Sequence, residues 1–204
     1  MKLYQAYKSI TDKIKPIDTA WFTTFNLDVE LVEKFLLSQL IDKAPIELKT
    51  AEDYEGMNLE LKGIDIKVWY DYRAMNTQSP KRTTVDFIST DPRSFFDSKS
   101  HNIVFHPKVI FLKGKGGAYL LSGSANLSIS AWSTNKEAVM IKEIMHKENA
   151  DEIIGFFDSL FTKNGLLSDA KTPLSAWRNK LSGGTSGWNF LSIACNRKKH
   201  SLIN

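Results

Sequence analysis

Apolar positions along the chain repeat first with a helical and then with a strand period. Leu3, Tyr7, Ile10 and Ile14 lie on one face of a helix ending at Lys15, and Pro16 stops it. Thr19–Phe25 (TAWFTTF) is β-branched and aromatic, which predicts a buried strand. Asn26 or Asp28 is placed to cap a helix whose stripe is Val29, Val32, Phe35, Leu36 and Leu40. Ala44-Pro45 closes that helix. Ile46–Lys49 reads as a short strand, and the acidic AEDYEGMN after it as a surface helix or loop. Ile64–Tyr70 (IDIKVWY) alternates over its first half and predicts a further strand.

The polar stretch DYRAMNTQSPKRTTVD, with Pro80, is expected to be an exposed loop. Asn102–Leu112 and Ala118–Ser122 are expected strands joined by Lys113–Gly117 (KGKGG). The glycines there are expected to supply the positive φ of a hairpin turn. No GxxxxGK[ST] or GxGxxG phosphate loop is present. Ile129–Trp132 predicts a short helix and Glu137–Glu143 a strand. Asn149 or Asp151 opens a helix through Lys163, with Ile153, Phe156, Phe157 and Leu160 on one face and Asn164-Gly165 at its end. This mixed order predicts an α/β or α+β sandwich. Residues 1–165 form the expected domain. Residues 166–204 are expected to hold a helix over Thr172–Leu181 and a poorly patterned tail with a Gly/Ser run and a basic RKKH cluster.

Composition narrows the class without naming a function. The chain has 204 residues, 42% of them hydrophobic and 25% charged, enough for one well-buried domain. No window approaches a membrane-spanning apolar run, and the N-terminus lacks the apolar core of a signal peptide. The single cysteine, Cys195, excludes an internal disulfide framework and a Cys-rich zinc site. These features predict a cytoplasmic protein without a membrane partner. The net charge of +4 is compatible with a polyanionic partner but does not require one.

Chemistry concentrates in His106–Glu137. His106 and Lys108 are two apart, which on a strand would put both on one face. The turn Gly-Ser-Ala-Asn-Leu-Ser then offers Ser124 and Asn126. An imidazole can attack phosphorus to form a phosphohistidine. A lysine beside it neutralises non-bridging oxygens, while amide and hydroxyl donors serve the developing charge. Glu137 is placed to hold a histidine in one tautomer. In their bland reading, Ser124 and Asn126 close a turn, Glu137 is a strand-edge charge and Trp132 is core. Lys81 and Arg82 are solvated loop cations or phosphate contacts. No metal-ligand spacing accompanies them, so neither a metal nor another cofactor is expected.

This segment resembles the HKD motif of the phospholipase D superfamily. His106 and Lys108 match HxK, and Gly123, Ser124 and Asn126 match the GSxN turn. Glu137 follows Asn126 by eleven residues, similar to the downstream glutamate of the bacterial nucleases of that superfamily. SGSANLSISAWS also resembles the corresponding turn of tyrosyl-DNA phosphodiesterases. Two departures stand out. Lys113 occupies the usual aspartate position, which tyrosyl-DNA phosphodiesterases also lack, and Gly123 lies fifteen residues after Lys108, three more than usual. The resemblance implies a phospholipase D-like mixed sheet sandwiched between helices, with a single HKD repeat. It further implies a metal-independent phosphodiesterase working through a phosphohistidine. That reaction uses two histidines from two motifs, and no second HxK occurs here. A homodimeric DNA nuclease follows, with Lys81, Arg82, Lys113 and Lys115 flanking a polyanion groove. A phospholipid-acting member and a non-catalytic or truncated half are the alternatives.

Overall fold

The computed structural model describes residues 2–74, 82–95 and 103–184. Lys81, Cys195 and the basic tail cluster therefore lie outside the described residues. The chain divides into two compact units. The larger takes in the described residues as far as Asp91 together with Val104–Glu143, and the smaller the remainder.

The larger unit is built on a six-stranded mixed sheet, so the α/β class expected from the sequence is the one observed. Its strands are β1 (Ile17–Thr24), β2 (Asp65–Asp71), β3 (Phe87–Thr90), β4 (Val109–Gly114), β5 (Gly117–Gly123) and β6 (Val139–Glu143), in spatial order β3-β2-β1-β4-β5-β6. β1, β2 and β3 run parallel, while β4, β5 and β6 continue the sheet in antiparallel pairs. The carboxyl ends of β1, β2, β3 and β5 therefore share one rim with the amino ends of β4 and β6.

Four helices cover one face: α1 (Lys2–Ile14), α2 (wound as a π-helix over Leu31–Leu37 and as an α-helix over Ser38–Leu40), α3 (Ala51–Leu61) and α4 (Ile129–Ser133). The stripes read from the sequence are the ones buried. Tyr7, Ile10 and Ile14 of α1 and Val32 and Leu36 of α2 pack in one core with Ala20, Phe22, Val68 and Leu121. Of the two expected caps before α2, Asp28 acts, its Oδ1 accepting the Glu30 N–H at 3.0 Å. AEDYEGMN begins a true helix, because Thr50 and Asp53 make a reciprocal capping box ahead of it.

Four expectations need correction. Ile46–Lys49 is irregular, not a strand, since the Ile46 N–H is taken by the Lys34 carbonyl and Ser38 Oγ of α2. β3 falls where no strand was expected, paired with β2. β4 starts at Val109, leaving His106 and Lys108 in an irregular approach, because β1 leaves the sheet just after Thr24 and offers no further partner. In the hairpin only Gly117 has a positive φ, +133°. Gly114 and Gly116 serve close approach instead. A Cβ there would lie 2.2 Å from the Ile14 carbonyl oxygen and 2.4 Å from that of Lys13, at the end of α1.

In the smaller unit, α5 (Lys147–Lys163) buries Ile153, Phe156, Phe157 and Leu160, as its period predicts. α6 (Lys171–Lys180) is tied to it by a bidentate pair, Arg178 donating to Asp151 at 2.6 and 2.7 Å.

Candidate active site

The rim where β1, β2 and β5 end and β4 and β6 begin gathers the chemical residues. Lys108, the last residue before β4, is buried, whereas His106 is exposed. The Lys108 ammonium lies 3.0 Å from His106 Nε2 and 3.2 Å from Nδ1, and 3.3 Å from the His106 carbonyl oxygen. The pair is thus brought together as expected, without a strand beneath both residues. Phe25, just past β1, packs on the imidazole with ring centroids 5.3 Å apart.

The end of β1 also sets Asn126. Its Oδ1 accepts the Asn26 N–H at 3.2 Å and faces Thr24 Oγ1 at 3.4 Å. A backbone N–H needs an acceptor, so the amide cannot be turned the other way. Its Nδ2 donors have no partner among the described residues. Thr24 is fully buried at the centre of this turn, donating to the Asn26 carbonyl at 2.8 Å and accepting the Leu127 N–H at 2.9 Å. Trp132 is core: its indole is buried and its Nε1–H donates to the Asn126 carbonyl at 3.1 Å.

Ser124 and Glu137 bond to each other, Ser124 Oγ donating to Glu137 Oε2. The Ala138 N–H donates back to Ser124 Oγ at 3.0 Å, and Asn135 Nδ2 donates to Glu137 Oε1 at 3.3 Å. Glu137 therefore orients the serine, and its charge is felt by Lys108. Among the described residues, its bonds go to Ser124 and Asn135 and none goes to His106. Gly123 permits this closeness, since a Cβ there would meet the Ala138 carbonyl oxygen at 2.1 Å.

The histidine's acidic neighbour is instead Asp71, at the end of β2, which sequence reasoning missed. Asp71 is fully buried. It accepts the Phe105 N–H at 2.7 Å, and the N–H, Nε and Nη2 of Arg73, each at 3.0 Å. The signal was present in the sequence as an aspartate and arginine closing an apolar strand, but only the topology brings that strand end to His106.

These contacts set the charges. Burial, and then Lys108, hold the His106 imidazole below its ordinary value, with Asp71 opposing them. Burial lowers the Lys108 ammonium, with Glu137 opposing. Burial alone would raise Asp71, but the Arg73 side chain and the Phe105 and Arg73 N–H groups outweigh it and hold the carboxyl low. The rim thus joins an imidazole shifted toward its uncharged form, the Lys108 amine beside it and an Asn126 amide whose oxygen is engaged.

Lys113, Lys115 and Arg82, the described basic residues expected to flank the site, lie elsewhere. Lys113, buried on β4, pairs with Asp18 about 17 Å from Lys108 by strand rise. Lys115 is in the hairpin turn at that same far end. Arg82 is exposed, 3.5 Å from Glu55 and over the Tyr54 ring. Among the described residues, no cluster of His, Cys, Asp and Glu side chains could hold a metal ion, and no helix is long and apolar enough to cross a membrane.

No family model matches the chain, and no curated protein matches it. The solved structures similar to this chain include two of like size. NucT from Helicobacter pylori shares 15% identity at a TM-score of 0.47, over 81% of this chain and 87% of that one. Nuc from Salmonella typhimurium, a phospholipase D family member, shares 16% identity at a TM-score of 0.40, over 86% and 84%. At these levels neither neighbour assigns a role to any residue here.

Proposed function

We propose that this protein is a metal-independent phosphodiesterase of the phospholipase D type that cleaves DNA, with two copies of the chain completing one site. The observation that carries this reading is the contact of the Lys108 ammonium with the His106 imidazole, on a rim where the Asn126 amide oxygen is held by the Asn26 N–H and its nitrogen has no partner among the described residues.

In this mechanism the phosphate oxygens compete for the Lys108 ammonium and free the imidazole nitrogen. That nitrogen attacks phosphorus; a P–N bond forms and the P–O bond to the leaving group breaks. His106 of the partner subunit, protonated, gives its proton to the leaving oxygen. It then removes a proton from water, which attacks the phosphohistidine, re-forming P–O and releasing the ring nitrogen. Lys108 and the Asn126 amide stabilise the oxygens as charge builds on them, and Ser124 joins them by turning its hydroxyl proton from Glu137 to the phosphate.

The test combines turnover of bis(p-nitrophenyl) phosphate and of DNA with and without EDTA, in wild type and His106→Ala, alongside light scattering. Expected are EDTA-resistant hydrolysis by a dimer and a loss of about a thousandfold or more in the variant. Full activity in His106→Ala, or complete loss in EDTA, overturns the mechanism. A strictly monomeric, inactive protein favours the non-catalytic half.

A further inference from the structure

We infer that Asp71 is the positioning residue for His106, fixing through the Phe105 N–H the irregular segment that carries the imidazole to the rim. This rests on the catalytic reading of His106 given above.

Among the described residues no strand lies beside the segment before β4, so hydrogen bonds outside the sheet help to hold it. Two of them bracket the histidine. Asp71 holds the Phe105 N–H one residue before it, and the Lys108 carbonyl accepts the Gly123 N–H at 3.2 Å two residues after it. The first pin is anchored by charge. Asp71 accepts four hydrogen bonds, one from Phe105 and three from Arg73, enough to occupy both carboxylate oxygens. A carboxylate engaged on all sides and fully buried has no other arrangement available without leaving a donor unpaired. An asparagine would present an amide N–H₂ to one of these donors, so shape alone does not replace the charge.

Asp71 also acts on the imidazole electrostatically. The charged groups around His106 are Lys108 on its own segment, Asp71 with Arg73 at the end of β2, and Glu137 before β6, which bears on Lys108. Asp91, beyond β3, bears on Arg73. Asp71 is thus placed to offset the Lys108 cation at the ring while fixing the ring's position.

The experiment is an NMR titration of the His106 imidazole in the full chain, run with Asp71→Asn and Arg73→Gln, together with kcat and KM for EDTA-resistant hydrolysis. Asp71→Asn is expected to lower the His106 midpoint and Arg73→Gln to raise it, each by about half a unit. In both, kcat is expected to fall about tenfold or more with KM little changed. Simple loosening of the segment would hydrate the ring more fully and raise both midpoints. Unmoved midpoints, or shifts of the same sign in both variants, overturn the inference. If Asp71→Asn does not fold, Asp71→Glu carries the test. The glutamate is expected to restore a midpoint near wild type; failure to do so counts against the assignment. A wild type without hydrolytic activity removes the catalytic reading, while the midpoint shifts still decide whether Asp71 governs His106.

Discussion

At the scale of single residues, the orientation of one amide carries much of the chemistry. Because the Asn26 N–H takes the Asn126 oxygen, only the nitrogen end can meet a substrate. Asn126→Asp keeps the accepting oxygen and removes the donors. Its kcat is expected to drop by about 10²–10³, with thermal denaturation near wild type. Thr24→Val has the opposite profile, since it strands the buried Leu127 N–H and should cost about 1–3 kcal/mol in urea unfolding, while Thr24→Ser should not. The pH dependence follows from His106. In the proposed mechanism its neutral form is the nucleophile, and burial and then Lys108 hold its pKa below the ordinary 6.5. Protonation therefore sets in only as pH falls through that lowered value. The acid limb of kcat/KM is expected below pH 6.5, and a limb at or above it would contradict the neutral-nucleophile assignment.

Elements place these residues, and two glycines show how closely. At Gly123 a Cβ would collide with the Ala138 carbonyl oxygen, a backbone atom, so β6 would have to move away from β5. Gly123→Ala is expected to cost about 1–3 kcal/mol and to separate Ser124 from Glu137, lowering activity with stability. Gly155, inside α5, has nothing within 4 Å of its missing Cβ, so Gly155→Ala is expected to add about 0.5–1 kcal/mol by calorimetry. Elements also mark what could be read in advance. Periods that bury a face were legible, as in α1, α2 and α5, because side-chain spacing maps directly onto a surface. Pairing was not, because β3 and the false strand at Ile46–Lys49 differ only in which neighbour takes their N–H groups. The same limit applied to the site. His106, Lys108, Ser124 and Asn126 announced themselves by spacing, whereas Asp71, Arg73 and Thr24 became visible only when parallel β1 and β2 brought their carboxyl ends beside β4. Lys113 read as a phosphate contact because a lysine after a strand looks solvated. It is instead a buried partner for Asp18, at the other end of that strand.

At the scale of the whole molecule, one chain brings one HxK histidine, whereas the proposed reaction needs two proton-transferring groups on opposite sides of phosphorus. A twofold axis through the rim would supply the second without a second motif, because an isologous contact puts the same residue on both sides. In such a dimer the two His106 side chains would be unequal in role though identical in sequence, one neutral and attacking, the other protonated and donating. Subunit mixing tests it directly. When wild type is exchanged to equilibrium with an equal amount of His106→Ala, a site that needs both histidines survives only in wild-type pairs. Activity should then fall to about a quarter of that of the same total chain as wild type. If each chain acts alone, it should fall only to about half, and a measured half would refute the shared site even if His106 proved indispensable.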